Sequence, residues 1–260
     1  MRRQAKTHHD RRDSSIREKA YQHIQQLIVN GTLSAGSGIS ELSLAKELGS
    51  SRTPIREAMN QLAAEGLLEQ NFRGGMLVAQ LKRDDIIELY ELREALEVYS
   101  VGKIASVSLR QADKDRLQHL LDEIPKLRSE LESSGEAQLN GEQMERFLAC
   151  DFRFHALLMS MTLNLRLQKI VSELRLLIRI FSLHRPGSDA AQLDAIHQHH
   201  QSVLDAIIKQ DKASAMRAMA EHIQASQREL LNEFDHWRRE ASLRKSMPTF
   251  FDIHNMTLQL

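Results

Sequence analysis

Apolar side chains recur at spacings of three and four residues along most of this chain, and this period restricts its fold more than any other feature. After Ser15, for example, Ile16, Ala20, Ile24 and Leu27 fall on one side of a helix. Only 5% of the 260 residues are aromatic and only four are proline, a composition that favours helices over sheets. We therefore predict a mostly α protein with one large domain or two ordinary ones.

Several classes of protein are excluded by composition. No apolar run approaches the roughly 18 residues of a membrane span, and no signal-peptide core follows the basic start MRRQAKTHHDRR. We expect a cytoplasmic protein with no membrane partner. The only cysteine, Cys150, is expected to be a buried thiol, since it cannot form an internal disulfide or a cysteine-rich metal cluster.

Positive charge is concentrated at the front of the chain, although the net charge is zero. Residues 1–14 are rich in Arg and Lys and are expected to form a disordered basic arm. Non-specific contact between this arm and phosphate is the alternative.

The first domain is predicted to begin with three helices. Helix one runs from Ser15 to Asn30, where Gly31 is a stop signal. A second, short helix lies in SELSLAKEL and is capped by Ser40. The third ends at Gly66, and its close succession to the second predicts a helix-turn-helix.

Two short strands are predicted after the third helix. LLEQ and MLVA, at residues 67–70 and 76–79, can pair around the turn NFRGG. A hairpin in this place makes residues 15–80 a winged helix-turn-helix domain. In such a domain the N-terminus of the recognition helix enters the major groove of DNA.

The third helix carries two arginines at the end where cations are least favoured. Thr53 can act as its N-cap and Pro54 suits the first helical position, so Arg52 and Arg56 lie near the positive end of the helix dipole. A cation there typically costs about 0.3 to 1 kcal/mol. In DNA, phosphate would supply the missing negative charge and guanine would offer acceptors for bidentate hydrogen bonds, whereas an ion pair with Glu57 or another surface carboxylate is the alternative.

The segment SRTPIREAMNQLAAEGLLE, followed by FRGGMLV, resembles the DNA-binding domain of the GntR family of bacterial transcription regulators. Many relatives carry an arginine where this chain has Leu42, so one base contact is expected to be missing or supplied elsewhere. The resemblance implies five positions that contact double-stranded DNA, with the two arginines as the principal ones: Ser51, Arg52, Thr53, Arg56 and Gly75.

A second domain, residues 84–245, is predicted to be an all-α bundle of six or seven helices. Residues 246–260 are assigned to a C-terminal tail. The first bundle helix is expected to turn one apolar face to the core, formed by Ile87, Tyr90, Leu92, Leu96, Tyr99 and Ile104. The helices are expected near residues 84–106, 113–131, 142–162, 164–184, 188–209 and 211–245.

Polar side chains interrupt the inward stripes of three of these helices. In ERFLACDFRFHALLMS, Asp151 and His155 occupy an otherwise apolar stripe, and His200 and His222 do so on later helices. A buried carboxylate without a partner is unfavourable in its ionised form. Imidazole and carboxylate groups bind Zn, Ni, Mn and Fe, so these residues form either a metal site or a set of hydrogen-bonded core residues.

DFRFHALLMSMTLNLRL and HQSVLDAIIKQDKASAMRAMAEHI resemble the effector-binding FCD domain of the FadR subfamily, over residues 84–232. The resemblance implies a divalent metal ion as cofactor, with zinc preferred and nickel, manganese or iron as alternatives. It also selects the third histidine of IHQHHQ over its two neighbours. The implied ligands are Asp151, His155, His200 and His222.

Two further residues are implied as effector contacts. LYELREALE matches the first helix of the family's effector domain, so Arg93 is expected to hold a carboxylate, and Asn164 is expected to form a hydrogen bond to the effector. The alternatives are a salt bridge of Arg93 with Glu94 or Glu97, and a helix cap for Asn164.

We expect a metabolite-responsive transcription regulator, in the first instance a repressor, that binds a palindromic operator as a homodimer. A small organic acid at the open metal positions would favour an arrangement of the winged domains that does not match the half-sites. A metal-dependent, hydrolase-like enzyme is the rival from another class, although no catalytic signature is found. A purely structural metal site is the third hypothesis.

Overall fold

The computed structural model describes residues 2–72, 74–80, 82–181 and 187–246. Within these residues the chain forms ten helices and three short strands. They divide into an N-terminal part, here called the winged unit, and a following bundle of helices. The mostly α fold with an N-terminal winged helix-turn-helix is therefore confirmed.

The winged unit contains three helices, α1 (Arg2–Val29), α2 (Glu41–Glu47) and α3 (Arg52–Ala64). The first is longer than predicted, because residues 2–14 are helical and do not form a disordered arm. That segment contains no glycine or proline, and its Arg, Gln, Ala and Lys residues favour helix. The stop signal at Asn30-Gly31 is placed correctly.

In the helix-turn-helix, one helix cap is the residue that was predicted and the other is not. Ser40 caps α2 as expected, its hydroxyl accepting a hydrogen bond from a backbone amide of the first turn. The N-cap of α3 is Ser51, not Thr53, so Arg52 is the first helical residue. Pro54 fits at the third position, because the first amides of a helix have no acceptor within it.

The wing is an antiparallel sheet of β1 (Gly38–Ile39), β2 (Leu68–Gln70) and β3 (Met76–Val78), in the order β1-β3-β2. The β2–β3 hairpin was predicted. Gly74 and Gly75 in its turn have φ of 90° and 85°, which is the left-handed region that glycine adopts readily. Strand β1 was not predicted, because two residues are too few to show an alternating pattern.

The bundle contains seven helices in the described part of the chain: α4 (Arg83–Ile104), α5 (Gln111–Leu121), α6 (Glu123–Ser134), α7 (Gly141–Met161), α8 (Leu165–Phe181), α9 (Ala190–Ile208) and α10 (Lys212–Ser246). The single helix expected over 113–131 is two helices, α5 and α6. Pro125 explains the break, because it has no amide hydrogen to donate to the carbonyl four residues earlier. Ser246 ends α10, and the rest of the expected tail lies outside the described residues.

The buried face of α4 differs from the predicted one. Tyr90 and Ile104 are buried as expected, but Leu92 and Tyr99 are 51% and 58% exposed. Arg93 and Glu97, which lie between Leu92 and Tyr99 in the sequence, are buried in the core instead, and each is at most 3% exposed. The prediction failed because it assumed that only apolar residues of α4 face inward.

Helix α8 lies between the two cores. Its Leu167, Val171 and Ile178 belong to the apolar core of the bundle. Leu176 and Leu177 instead pack against the core of the winged unit. Across the described ranges, none of the helices has an apolar stretch long enough to span a bilayer.

Candidate metal centre and DNA-contact surface

Four side chains from three helices meet inside the bundle. Asp151 and His155 lie one turn apart on α7, His200 comes from α9, and His222 comes from α10. One ligand atom of each lies within 4.8 Å of those of the other three. These are the four residues that the sequence singled out, and they are called the Asp-His cluster below.

The spacing of the Asp-His cluster suits one ion. His222 Nε2 lies 3.2 Å from His155 Nε2 and 3.3 Å from His200 Nε2. Asp151 Oδ1 lies 3.4 Å from His200 Nε2 and 3.8 Å from His155 Nε2. Ligand atoms that share an ion at about 2.0 to 2.2 Å are separated from one another by roughly 3 to 3.6 Å. The nitrogen and oxygen donors also fit zinc, nickel, manganese or iron.

The three imidazoles of the cluster are held in the neutral form, which is the form that coordinates metals. Burial lowers the pKa of His155, lowers that of His200 to about 3, and lowers that of His222 well below its ordinary value. Their Nε2 atoms face one another, so unprotonated lone pairs would repel unless a proton or a cation lay between them. The chemistry of the donors therefore favours a bound cation.

Glu97 fixes the tautomer of His155 in the Asp-His cluster. His155 Nδ1 lies 2.5 Å from Glu97 Oε2. Burial alone would raise the pKa of Glu97, but Arg93 and His155 outweigh this effect and hold that pKa well below its ordinary value. An ionised carboxylate accepts a hydrogen bond, so Nδ1 donates and Nε2 keeps its lone pair for the cluster. Carboxylates commonly orient metal-bound histidines in this way.

Asp151 is ionised although it is largely buried. Burial opposes ionisation, but Arg175 and the neighbouring histidines lower the pKa of Asp151 to about 2. Arg175 Nη2 donates to Asp151 Oδ2 at 2.5 Å. The carboxylate is therefore available as a charged ligand over the whole neutral pH range.

Two buried arginines and Glu97 form a charged network behind the cluster. Arg93 Nε donates to Glu97 Oε1 at 2.8 Å, and Arg175 Nη1 lies 3.7 Å from the same oxygen. The side chains of Arg93, Glu97 and Arg175 are 4%, 0% and 7% exposed. Buried charges of this kind require partners, because an unpaired one is strongly destabilising.

A cavity of about 390 Å³ opens beside the cluster. Arg93, Asp151, Arg175 and His222 line it, together with the hydroxyl-bearing Ser226. Its size is within the range of small-molecule sites. Positive guanidinium groups and a candidate metal position on one wall make it suitable for a small anion.

The two expected effector contacts are placed differently. Arg93 lines the cavity, and it also forms the salt bridge with Glu97 that was its alternative. Asn164 caps α8, with its Oδ1 accepting a hydrogen bond from the Leu167 amide at 3.1 Å. It is not among the described residues of the cavity wall. The position of Asn164 therefore agrees with the helix cap and not with an effector contact.

Sequence reasoning missed Glu97 and Arg175 as members of the site. Glu97 was considered only as a surface partner of Arg93. Arg175 lies on the inward stripe of α8, four residues after Val171 and three before Ile178. This is the same signal that identified Asp151, a charged residue on an apolar stripe, and it could have identified Arg175.

Cys150 is buried as predicted. Its thiol donates to the carbonyl oxygen of Phe147 at 3.1 Å. Burial raises the pKa of Cys150 to about 12, so the thiol is protonated at neutral pH and is not a metal ligand.

The five expected DNA contacts are all exposed, four of them at the start of α3 and the fifth in the wing. The side chains of Arg52 and Arg56 are 59% and 55% exposed, and Ser51, Thr53 and Gly75 are also exposed. Both guanidinium groups contact Glu41, the first residue of α2. The surface-carboxylate alternative is thus present, with Glu41 in place of Glu57, but both arginines still point to solvent.

The fold and the surface at α3 define a DNA-binding transcription regulator with a helical second domain. Residues 16–78 match the family described as bacterial regulatory proteins, gntR family, and residues 88–225, more than half of the chain, match the FCD domain. The chain belongs to the GntR family and to its FCD-containing, FadR-type subfamily. The resemblance read from the sequence is confirmed.

Relatives of known description support this assignment. The chain is 29% identical over 202 residues to the HTH-type transcriptional regulator YdhC of Bacillus subtilis (strain 168), covering 78% of this chain and 85% of that protein. It is 28% identical over 198 residues to a probable D-xylose utilization operon transcriptional repressor of Paenarthrobacter nicotinovorans, covering 76% and 81%.

A solved structure shares the fold. The E. coli McbR/YncC structure superposes with a TM-score of 0.68 at 20% identity, covering 84% of this chain and 98% of that chain. The relatives are transcription regulators, so the expectation that this protein is a regulator and not an enzyme is confirmed.

Proposed function

We propose that the protein is a repressor that binds a palindromic operator as a homodimer and leaves it when a small carboxylate binds beside the Asp-His cluster. The regulator of the D-xylose operon named above is described as a repressor, which supports this sign of regulation. Because the proposed function is operator binding, we assign the protein to the bacterial cytoplasm.

One observation carries the sensing part of the proposal. Two members of the Asp-His cluster, Asp151 and His222, lie on the wall of a cavity that is also lined by two buried arginines, Arg93 and Arg175. A divalent ion held by these four residues would supply a Lewis-acidic position for a carboxylate oxygen. The arginines attract and orient the anion through charge and directed hydrogen bonds. A site of purely structural purpose would have no need of the cavity or of the second arginine.

Arg52 and Arg56 are proposed as the principal DNA contacts. They stand at the positive end of α3, and they are exposed at the position where a recognition helix enters the major groove. Ser51, Thr53 and Gly75 would contact phosphate or base edges nearby. The ion pairs with Glu41 do not prevent this role, since exposed pairs contribute only about 0 to 1 kcal/mol.

The proposed dimer uses the outer face of α4. Leu92 and Tyr99 lie seven residues apart, so they share one side of the helix, and both are more than half exposed. Large apolar side chains aligned on one helix face are typical of a buried interface. A two-fold dimer presents two winged units to the two half-sites of a palindrome.

Three measurements test the proposed function. Elemental analysis of the purified protein is expected to find about one divalent ion per chain. A thermal-shift screen with acetate, lactate, gluconate, succinate and citrate is expected to find at least one stabilising anion. That anion is expected to weaken operator binding in a gel shift at fixed salt, and Arg52→Ala is expected to weaken operator binding without any anion.

Other results would contradict the proposal in different ways. Unchanged operator affinity in Arg52→Ala would reject α3 as the recognition helix. A metal whose removal unfolds the bundle, together with DNA binding that is indifferent to every anion, would make the site structural. Hydrolytic turnover that disappears in His200→Ala would restore the enzyme hypothesis.

A further inference from the structure

We propose that Arg175 binds the carboxylate of the effector and thereby makes α8 the element through which the cavity acts on the winged unit. The proposal rests on the effector function proposed above. It assigns to one residue both the recognition of the anion and the first step of its transmission.

Arg175 has hydrogen-bonding capacity that the protein does not use. It is 7% exposed and lines the cavity, and Nη2 is bound to Asp151. Its Nε and Nη1 atoms are buried without a hydrogen-bond partner in the described structure. Buried donors are almost always paired, and an anionic carboxylate is a strong acceptor for an unpaired guanidinium N–H that faces a cavity.

Arg93 is less suited to this role. Its Nε donates to Glu97, and its guanidinium carbon lies 4.9 Å from the centre of the Tyr90 ring. Arg93 is therefore held by two neighbours, and it supplies positive charge to the cavity. Arg175 has the free donors.

The charges around the cavity favour an anion with one negative charge. Arg93 and Arg175 each contribute one positive charge, whereas Asp151 and Glu97 each contribute one negative charge, as does Glu229 on the cavity wall. Counted over these five described side chains alone, a divalent ion at the cluster would leave a single net positive charge. One carboxylate neutralises that charge, so we expect monocarboxylates to bind more tightly than succinate or citrate.

Arg175 and the residues that contact the winged unit lie on different faces of helix α8. Val171 and Ile178, four residues before and three residues after Arg175, belong to the core of the bundle. Leu176 and Leu177 pack against the core of the winged unit. A helix with a packed face on each side moves as one body, so a shift at Arg175 displaces the two leucines.

Leu177 reaches the end of the recognition helix. Its methyl carbons lie 3.8 and 3.9 Å from the place where a side-chain carbon on Gly66 would be. Gly66 follows Glu65, the C-cap of α3, and its φ of 78° fixes the turn into the wing. Binding at Arg175 therefore has a continuous packed route to α3, and by linkage DNA binding alters effector affinity by the same factor.

The first test compares the wild type with Arg175→Lys as full-length, zinc-loaded proteins. Each is titrated calorimetrically with acetate, lactate, gluconate, succinate and citrate, and its zinc content is measured. Lysine keeps the charge beside Asp151 but lacks the additional guanidinium N–H donors. We expect zinc to be retained and the best monocarboxylate to bind at least about ten times more weakly.

Three results of this titration would overturn the proposal. Affinity within about a factor of two of the wild type would show that the free donors are not used. Loss of zinc from Arg175→Lys would make the residue a structural support of Asp151. Tighter binding of succinate or citrate than of any monocarboxylate would reject the assigned charge of the ligand.

The second test concerns transmission and uses Leu177→Ala, with Ile170→Ala as the control on an exposed position of α8. We expect Leu177→Ala to bind the carboxylate as the wild type does, but to lose most of the carboxylate's effect on operator affinity. Ile170→Ala is expected to keep both properties. An unchanged effect in Leu177→Ala would overturn the route through α8.

The outcomes separate this proposal from the proposed function. If the wild type binds none of the anions, the effector function fails and the proposal fails with it. If the wild type binds an anion and releases DNA while both variants behave like the wild type, only the role of Arg175 and α8 is rejected.

Discussion

Arg56 is held by Glu41 through two hydrogen bonds, with Nε and Nη2 donating to the two carboxylate oxygens at 3.0 and 2.9 Å. Arg52 Nη2 donates to the same carboxylate at 3.1 Å. The hydrogen bond from Arg56 is the main cause of the lowered pKa of Glu41. One carboxylate thus holds both proposed DNA-reading side chains next to each other before DNA arrives.

Glu41→Gln is expected to increase affinity for random DNA and to reduce the preference for the operator. The substitution removes a negative charge close to the phosphates and frees two arginines that were held in place. We expect the ratio of specific to random affinity to fall by about threefold to tenfold, at a cost of order 1 kcal/mol in discrimination. Gel shifts with operator and random duplexes at several salt concentrations measure both effects.

Glu57→Gln is the matched control, since Glu57 is exposed on α3 and its substitution changes the net charge equally. It is expected to affect both duplexes alike. A specificity ratio in Glu41→Gln equal to that of the control would mean that the carboxylate does not organise the arginines.

Glu97→Gln is expected to weaken metal binding by about 10- to 100-fold without removing any ligand. Glutamine cannot provide the charge that holds the His155 Nδ1 proton in place. Metal affinity is measured by competition with a chelator, with His200→Ala as the ligand-deficient reference. Glu91→Gln, at an exposed position of the same helix, should retain the affinity of the wild type. Wild-type affinity in Glu97→Gln would reject the orienting role.

The metal-free protein is expected to lose stability as pH falls below about 6.5. The pKa values of His155, His200 and His222 are lowered in the folded state. The unfolded chain therefore binds more protons than the folded one, and the stabilisation present above pH 6.5 is lost on acidification. Below pH 6.5, each of these histidines lowers the free energy of unfolding by up to about 1.4 kcal/mol per pH unit, until the pH reaches its pKa in the folded state.

Urea unfolding of chelator-treated protein between pH 7.5 and 5 measures this dependence. His200→Gln should make the slope shallower, whereas His119→Gln, at an exposed position of α5, should leave it unchanged. A slope that is identical in all three proteins would mean that the cluster is not the source.

Leu92→Glu is expected to convert the dimer into a monomer. The outer face of α4 exposes Leu92 and Tyr99, and two like charges facing each other across a two-fold axis would oppose association. Light scattering after size-exclusion chromatography measures the mass. Val107→Glu, at an exposed apolar position after the end of α4, is the control. A dimer that persists in Leu92→Glu would move the interface elsewhere.

The sequence was sufficient for those parts of the fold that depend on local signals. Helix periodicity, the Ser40 cap and the glycines of the wing all act within a few residues, and these features were predicted correctly. The errors occurred where the decisive interaction is not a periodic one. Pro125 divides an otherwise continuous helical pattern, and β1 exists only because it pairs with β3.

The four residues of the Asp-His cluster were singled out from the sequence, but the residues around them were not. Asp151 and the three histidines are polar residues on apolar stripes, so each is visible on its own helix. Glu97 and Arg175 acquire their roles only from contacts across helices, to His155 and Asp151. Glu41 is similar, because its contacts with α3 depend on the angle between two helices. That angle is a property of packing and is not encoded in a local pattern.

The burial of Cys150, next to Asp151 of the Asp-His cluster on α7, has a practical consequence for work with this protein. A thiol with a pKa of about 12 reacts slowly with alkylating reagents at neutral pH. Because the chain has no other cysteine, any labelling comes from molecules in which α7 has separated from its neighbours. The native sequence thus carries a single chemical reporter on the opening of the helical bundle, and cysteines introduced into the winged unit can be labelled selectively against it.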